Sequence, residues 1–263
     1  MLSKGNLKDV TSFARETALK AGKKLQRWNK RRNRISFKGR VNLVTDADVA
    51  SEKYITRTVV KKYPDHSILA EEEKPQEKKS DFRWIIDPLD GTTNFAHNFP
   101  FYCVSIALEY EDEIVSGVVY DPVRDEMFYA YQNGNSFLNG KKISVSKQSK
   151  LEKSLLATGF PYDIGSSQEN NLKQFGKFAR AAQAVRRAGS AALDLCYLAC
   201  GRFDGFWELK LHPWDTAAGK IIIEEAGGRV TDFSGQKYSI YDKYILATNG
   251  KIHGQMKKIL TSS

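Results

Sequence analysis

Two aspartates, three residues apart, follow an apolar stretch near the middle of the chain. Residues 84–90 read Trp-Ile-Ile-Asp-Pro-Leu-Asp, and a glycine and two threonines come next. The apolar residues predict a buried strand, which Pro88 ends by removing a backbone donor, and Gly91 permits a tight turn into a helix. Carboxylate oxygens bind Mg²⁺, and free amides at a helix start, here those of Gly91 and Thr92, bind anions. The segment therefore predicts a combined metal and phosphate site.

An isolated Asp-x-x-Asp also has a purely structural interpretation, in which Asp90 caps the following helix and Asp87 forms the turn. Further motifs favour the chemical interpretation, because a single short motif matches by chance far more often than an ordered set. The set comprises 43–48 (Leu-Val-Thr-Asp-Ala-Asp), 68–72 (Ile-Leu-Ala-Glu-Glu), 87–93 (Asp-Pro-Leu-Asp-Gly-Thr-Thr), 214–219 (Trp-Asp-Thr-Ala-Ala-Gly) and 224–228 (Glu-Glu-Ala-Gly-Gly). Together these segments resemble the signatures of the inositol monophosphatase family, from about the first helix to the end of the chain.

The resemblance implies an α+β fold, a layered αβαβα sandwich of the inositol monophosphatase and sugar phosphatase type. We divide it into an N-terminal α+β part, residues 1–148, which carries most metal ligands, and a C-terminal α/β part, residues 149–263, which carries Asp215 and the substrate-binding residues. The two parts are expected to form one compact catalytic unit.

The resemblance also implies a metal-ligand set of four carboxylates and one backbone oxygen, with Mg²⁺ as the cofactor. These ligands are Glu71, Asp87, the carbonyl of Leu89, Asp90 and Asp215. Asp87 would bridge two ions. Read alone, Asp215 is a helix N-cap, which is compatible with metal binding, and the acidic run 71–73 is a solvated loop. Because Ala70 replaces the usual glycine of the family, the register of Glu71 against Glu72 stays open.

Three residues match the catalytic positions of the family: Glu71, Thr92 and Asp48. The Thr92 hydroxyl would orient the attacking water, and Asp48 would orient Thr92, although Asp48 read alone is a helix cap. Attack in line with the leaving oxygen would then need no covalent phosphoenzyme. The histidines show no metal spacing, and we assign them no catalytic role; they are His66, His97, His212 and His253.

A longer set matches the substrate-binding positions of the family. It consists of Glu71, Leu89, Asp90, Gly91, Thr92, Gly189, Ser190, Ala191, Glu208 and Asp215. Glu208 could accept hydrogen bonds from the hydroxyl groups of a sugar or inositol, or it could be a surface residue after Phe206 and Trp207. The roles of Arg186 and Arg187, at the surface or at a subunit contact, stay open.

The function implied is Mg²⁺-dependent, lithium-sensitive hydrolysis of inositol 1-phosphate, or of a similar polyol or sugar monophosphate, by a homodimer. Alternatives within the superfamily are phosphatases for fructose 1,6-bisphosphate, nucleotide 3′-phosphates, histidinol phosphate and NADP. Nucleotide-directed relatives often carry lysine at the position of Thr93, which favours the inositol form. A second class of alternative is a regulatory protein that binds the transcription machinery, as some bacterial relatives do.

Composition narrows the class of protein. The chain has 263 residues, of which 41% are hydrophobic, as in an ordinary soluble domain. The start lacks the apolar run of a secretory signal, and no stretch approaches the ~20 apolar residues of a membrane span. The cysteines lack Cys-x-x-Cys spacing, which argues against a disulfide framework and a zinc cluster; they are Cys103, Cys196 and Cys200. We therefore predict a cytoplasmic protein without membrane association.

The formal net charge of +10 raises the question of a nucleic-acid partner. Much of the excess lies in the first forty residues, where the few aromatic residues are not interleaved with the basic ones as a stacking platform would need. We therefore predict a solvated basic face and no nucleic-acid-binding role. The basic residues of this run are Lys23, Lys24, Arg27, Lys30, Arg31, Arg32, Arg34, Lys38 and Arg40.

Periodicity predicts the elements that position these residues. Apolar spacings of three and four predict helices, and alternation predicts strands. The predicted helices cover about 7–28, 48–63, 170–182, 190–200 and 251–260. The predicted strands cover 67–70, 102–109, 114–120, 126–131, 229–231 and 244–247, with a hairpin turn at Asn139 and Gly140.

Overall fold

The computed structural model describes residues 4–29, 35–37 and 43–262, and these residues form helices and strands in regular succession. The helices are α1 Lys4–Asn29, α2 Asp46–Lys62, α3 Thr92–Ala96, α4 Leu172–Ala181, α5 Ala191–Ala199, α6 Pro213–Glu225 and α7 His253–Thr261. The strands are β1 Ile35–Phe37, β2 Leu43–Thr45, β3 Ser67–Ala70, β4 Phe82–Asp90, β5 Cys103–Tyr110, β6 Glu113–Asp121, β7 Glu126–Tyr131, β8 Ser136–Leu138, β9 Lys141–Lys142, β10 Leu155–Thr158, β11 Ala184–Arg186, β12 Gly205–Leu209, β13 Arg229–Thr231 and β14 Tyr244–Thr248.

Strands β3 to β9 form one sheet in chain order, with α1 and α2 on one face. Only the β3–β4 pair is parallel among the pairs of this sheet. The helix α1 buries a stripe spaced by three or four residues, which includes Ala14, Ala18, Ala21 and Leu25, against this face. The first two layers of the molecule are therefore helices on a sheet.

A second sheet has the strand order β11-β10-β12-β14-β13. Helices α5 and α6 lie between the two sheets and share one core with Ile85 of the first sheet and Phe206 of the second. Phe178 of α4 and Met256 of α7 pack with Trp207 on the outer face of the second sheet. The layer order is thus helix, sheet, helix, sheet, helix, and the predicted αβαβα sandwich is confirmed.

Glycine allows the closest approach between the first sheet and the middle helices. A Cβ atom at Gly117 of β6 would lie 2.8 Å from the carbonyl oxygen of Ala218 in α6, a distance that real Cβ atoms do not adopt. A larger residue at position 117 would therefore push α6 away from the sheet. Because α6 carries Asp215, this packing contact also fixes one of the predicted ligands.

Most predicted elements are present with small shifts at their ends. One prediction is wrong, because Pro88 does not end its strand: β4 continues to Asp90. The pairing with β5 shifts between Asp87, opposite Ser105, and Asp90, opposite Cys103. Proline lacks the N–H that a ladder needs, and Pro88 lies at a bulge, where the regular pairing is interrupted. The bulge keeps both aspartates within one strand.

The two predicted parts correspond to different sheets, since the first sheet comes from residues 67–142 and the second from 155–248. Because one core joins both sheets, the division at 148 stays a prediction. Part of the basic run, 30–34 and 38–40, lies outside the described residues. Among the described helices, none has the length and apolar character that crossing a bilayer requires.

Candidate active site

Three aspartates from two separate segments come together at the edge of the first sheet. Carboxylate oxygens of Asp87, Asp90 and Asp215 lie within 4.8 Å of one another. The first two come from the bulge of β4 and the third from the first turn of α6. Glu71, directly after β3, lines the same cavity. The structure thus brings together all four carboxylates of the predicted ligand set.

The turn after the bulge needs glycine. Gly91 has φ 95°, in the left-handed region, and a Cβ there would lie 2.9 Å from the carbonyl oxygen of Phe101. Helix α3 begins directly afterwards, at Thr92. The Asp87 Oδ1 atom accepts a hydrogen bond of 3.0 Å from the amide of Leu89, which holds that carboxylate in the bulge.

Asp90 does cap a helix, but a different one from the helix expected. Its Oδ2 accepts hydrogen bonds of 2.7 Å from the Ser190 hydroxyl and of 2.7 Å from the Ala192 amide, at the start of α5. Ser190 in turn accepts a hydrogen bond from the amide of Leu193 as the N-cap residue. The carboxylate therefore has a fixed orientation, and its capping and ligand roles are compatible.

Asp215 is not the N-cap of α6, contrary to the expectation from sequence. The N-cap is His212, Pro213 is the first helical residue, and Asp215 is the third. Asp215 Oδ2 accepts a 2.6 Å hydrogen bond from the His212 amide, completing a capping box. The proline fixes the helix start two residues earlier than the carboxylate, and the His-Pro-Trp-Asp order of the sequence was the signal for this.

The electrostatics of the cluster favour a bound cation. Burial, with the charges of Glu71 and the neighbouring aspartates, raises the pKa of Asp87 well above its usual value. Burial raises the pKa of Asp90 to about 6, against the hydrogen bonds that it accepts. Burial and the charge of Asp90 raise the pKa of Asp215 to about 7. Buried like charges are costly unless a cation pairs with them, and an all-oxygen donor set fits Mg²⁺.

Glu71, and not Glu72, shares the cavity of the three aspartates. The backbone amides of Glu72 and Glu73 instead donate hydrogen bonds of 2.8 and 2.6 Å to the carboxylate of Glu52 in α2. This placement favours Glu71 as the ligand of the acidic run. The cavity is also lined by Tyr162, which the sequence did not single out.

Thr92 and Asp48 form the predicted pair. The Thr92 hydroxyl lies 2.9 Å from Asp48 Oδ1 and 3.1 Å from the carbonyl oxygen of Leu89, and both Thr92 and Asp48 are buried. A hydroxyl has one proton to donate and two lone pairs to accept with. Since that proton is directed to Asp48 or Leu89, the Thr92 oxygen is left as an acceptor for water.

The other predicted substrate residues line an adjoining cavity. Gly189, Ser190, Ala191 and Glu208 share it with Asp90, Gly91, Thr92 and Asp215. Glu208 is on β12, a strand that we did not predict individually, and it is 7% exposed. Its carboxylate packs against Gly159, where a Cβ would lie 2.2 Å from Oε1. Burial, and then the charge of Asp215, raises the pKa of Glu208 well above its usual value.

Sequence reasoning left one side chain of this cavity open and missed Asp194 in it and Asn94 beside it. Arg187, left open from sequence, lines it. Asp194 also lines it, is 2% exposed, and its Oδ1 has no hydrogen-bond partner in the described part of the chain. Asn94 Nδ2 donates to the carbonyls of Phe101 and Ala188 at 2.7 and 2.9 Å, which joins α3 to the segment before α5. Helical spacing from Ser190 to Asp194 was the available signal, since residues four apart share a face.

Comparison with known proteins agrees with this geometry. Residues 6–263 match the inositol monophosphatase family. The chain is 44% identical to the inositol-1-monophosphatase of Synechocystis sp. over 100% of this chain and 92% of that protein. It is 39% identical to the Nus factor SuhB of Pseudomonas aeruginosa over 97% of this chain and 96% of that protein.

A solved structure supports the same assignment. The inositol monophosphatase from Anabaena (Nostoc) superimposes with a TM-score of 0.90, at 43% sequence identity, over 97% of this chain and 96% of the other. Fold, sequence and motifs agree over nearly the full length. The chain belongs to the inositol monophosphatase family.

Proposed function

We propose that this member of a phosphatase family is a Mg²⁺-dependent phosphomonoesterase that hydrolyses inositol 1-phosphate, or a similar polyol or sugar monophosphate, to the free alcohol and phosphate. The observation that carries the proposal is that the acidic cluster and the cavity with Glu208 adjoin each other. The acidic cluster of Asp87, Asp90 and Asp215 adjoins the Thr92–Asp48 pair and opens onto a cavity with a buried carboxylate, Glu208.

The metal would be held by Glu71, Asp87, Asp90, Asp215 and the carbonyl of Leu89. When bound, Mg²⁺ neutralises phosphate charge, promotes loss of a proton from the attacking water and stabilises the departing alkoxide. The protein supplies the rest of the arrangement. Thr92 Oγ1 accepts a hydrogen bond from the water, because its own proton is directed to Asp48 or to the carbonyl of Leu89. The water oxygen bonds to phosphorus as the bond from phosphorus to the alcohol oxygen breaks. The water gives up one proton to the solvent, and the departing alkoxide takes one proton from the solvent to become the free alcohol.

The cavity beyond the phosphate would take the alcohol. Glu208 is placed to accept hydrogen bonds from substrate hydroxyls, with Gly189, Ser190 and Ala191 along the adjacent wall. Binding of hydroxyl groups by carboxylates is worth about 1.5–3 kcal/mol for each hydrogen bond to a charged group. This suits a polyol or sugar, and Thr93, where nucleotide-directed relatives often carry lysine, favours these over nucleotides and NADP, which stay as alternatives.

A second candidate function is a regulatory contact with the transcription machinery. The resemblance to a protein named Nus factor SuhB is the observation that favours it. The two functions do not exclude each other, because a regulatory contact would use a surface and the phosphatase a cavity. Homodimer formation and inhibition by millimolar lithium remain expectations from the family resemblance, and a cytoplasmic location remains one from the composition.

A phosphate-release panel tests the proposal. We expect Mg²⁺-dependent release from inositol 1-phosphate that exceeds release from fructose 1,6-bisphosphate, a nucleotide 3′-phosphate, histidinol phosphate and NADP. EDTA should abolish the activity, and excess Mg²⁺ should restore it. Full activity in chelator, or no release from any of these compounds, would refute the hydrolase assignment; a different preferred compound would change only the substrate.

A further inference from the structure

The first two turns of the helix α2 carry three buried polar side chains on one face, and Thr56 follows them one turn further along. Asp48, Ser51 and Glu52 are 0%, 1% and 0% exposed. Positions i, i+3 and i+4 of a helix project to the same side, so the three groups form one polar strip within an otherwise packed interface. Burying polar groups costs free energy unless each of them is hydrogen-bonded.

Each member of this strip contacts a different segment of the candidate active site. Asp48 accepts from the hydroxyl of Thr92, at the start of α3. Ser51 Oγ donates a 3.0 Å hydrogen bond to the carbonyl of Pro88, in the bulge between Asp87 and Asp90. Glu52 accepts from the two backbone amides that follow Glu71. One helix face therefore reaches three chain segments that carry ligands or the water-orienting threonine.

Glu52 holds its segment at both carboxylate oxygens. The Glu72 amide donates to Oε2 at 2.8 Å and the Glu73 amide to Oε1 at 2.6 Å. On the other side of Glu71, Ala70 is the last residue of β3 and pairs with Ile86 of β4. The backbone of Glu71 is thus fixed before and after the residue, by a sheet register and by a buried carboxylate.

We propose that Glu52 is a positioning residue for metal binding, which acts through Glu71 by holding the two amides that follow it. The inference rests on the proposed function, since it assigns Glu71 to the metal. Loss of these two hydrogen bonds should lower the metal affinity more than it lowers the stability of the fold, because the hydrogen bonds orient the ligand Glu71. Partners that orient metal ligands typically change metal affinity about 10- to 100-fold when they are mutated.

The primary test is the affinity for Mn²⁺ alone, an oxygen-preferring stand-in for Mg²⁺ whose free ion is measured by electron paramagnetic resonance. Glu52→Gln keeps the shape of the side chain but has one acceptor oxygen and an NH₂ that faces a backbone donor. We expect its dissociation constant for Mn²⁺ to rise about 10- to 100-fold. Unchanged affinity in a folded Glu52→Gln protein would overturn the inference.

A matched control comes from α6. Glu225, its last residue, accepts hydrogen bonds from the amides of Asn133, Gly134 and Asn135, so it holds a loop by the same chemistry. It is at the opposite end of α6 from Asp215. Glu225→Gln should lower the melting temperature about as much as Glu52→Gln does. It should leave the Mn²⁺ affinity within about twofold of the unmodified protein, since no metal ligand depends on Glu225. Equal weakening in both variants would assign Glu52 a general structural role.

A double-mutant cycle identifies the route. If Glu52 acts through Glu71, then Glu52→Gln should add little to the loss caused by Glu71→Gln, whereas independent effects would add. Additive losses would overturn the inference. If Glu52→Gln does not fold, the same measurements are made on Glu52→Asp, which keeps the charge and is expected to show a smaller loss in the same direction.

The outcome for the unmodified protein separates this inference from the proposed function. An unmodified protein that neither binds Mn²⁺ nor releases phosphate would refute the proposed function and the inference with it. An unmodified protein that binds Mn²⁺ and hydrolyses substrate, beside a Glu52→Gln variant with the same metal affinity, would refute the inference alone.

Discussion

The two halves of the site are built in different ways. In the half with the acidic cluster, each aspartate has a backbone or hydroxyl donor: Asp87 has Leu89, Asp90 has Ser190 and Ala192, and Asp215 has His212. In the half around Glu208, that carboxylate has one backbone donor, Gly159, and burial and close packing shape the rest of the cavity. The buried Oδ1 of Asp194 has no partner among the described residues, and Gly159 leaves room for the Glu208 carboxylate.

Under the proposed function, this difference would separate the determinants of chemistry from those of specificity. Hydrogen bonds fix the half with the acidic cluster, called the ligand half below, so its geometry would cost little if a metal and a phosphate bind there. In the Glu208 half, Asp194 Oδ1 has no partner among the described residues, and the remaining lone pairs of Glu208 would accept from a polyol or sugar hydroxyl. Changes in the first half should therefore affect the rate with every substrate, and changes in the second half should affect the choice of alcohol.

The largest effect is expected in the ligand half. Asp90→Asn should lower the turnover number at least about a thousandfold with every substrate, because the lost carboxylate charge weakens binding of the cation that stabilises the negative transition state. Since Asp90 also caps α5, we expect the melting temperature to fall by a few degrees. Steady-state kinetics and thermal unfolding measure the two effects. Asp232→Asn, a turn-forming aspartate bonded to Ser234 and Gln236, is the control for loss of a local cap.

Near-normal turnover in a folded Asp90→Asn protein would show that Asp90 is only a helix cap. The two halves would then no longer differ as described, because the ligand half would lack an essential carboxylate.

A smaller and selective effect is expected in the other half. Glu208→Gln should raise KM for inositol 1-phosphate about tenfold, since roughly 1.5 kcal/mol is the lower range for one hydrogen bond to a charged group. Hydrolysis of an aryl phosphate, which has no hydroxyls to bind, should change little. Parallel KM and kcat measurements on both substrates test this. An equal loss with both would place Glu208 in the catalytic machinery and remove the distinction between the halves.

The ligand half was predictable because much of it is local in sequence. Asp87, Leu89, Asp90, Gly91 and Thr92 lie within six residues, and their types alone indicated a cation and a phosphate. The path of the strand through Pro88 was not predictable, because a bulge depends on the pairing with β5. The capping of α5 by Asp90 was also hidden, since Ser190 and Ala192 lie a hundred residues away.

The other half was only partly predictable. Glu208 was found through family resemblance, while its strand β12 was missed as an individual element because five buried residues have no alternation to indicate a strand. Asp194 was missed because it belongs to a helix of mostly apolar residues, and Glu52 because it is one of many charged residues in α2. Their importance follows from a tertiary contact or its absence, and no local propensity encodes that.

The smallest expected effect concerns the electrostatics of the acidic cluster. Burial and Asp90 raise the pKa of Asp215 to about 7 from an ordinary value of 3.8. The folded state therefore binds this proton more tightly than the unfolded state, and linkage makes the contribution of Asp215 to stability fall as the pH rises between these two values.

In EDTA, Asp215→Asn should be more stable than the unmodified protein at pH 8 by a few degrees in melting temperature, and the gap should shrink near pH 5, where Asp215 is protonated. Asparagine keeps an oxygen for the His212 amide, so the capping box is retained. Mg²⁺ should reverse the order at pH 8, because the cation replaces the lost proton and only the carboxylate can bind it. Thermal unfolding at the two pH values, with and without Mg²⁺, measures all four gaps. A melting-temperature difference in EDTA that does not depend on pH would mean that Asp215 stays charged without metal. The acidic cluster would then tolerate its charges without a cation, contrary to what its geometry indicates.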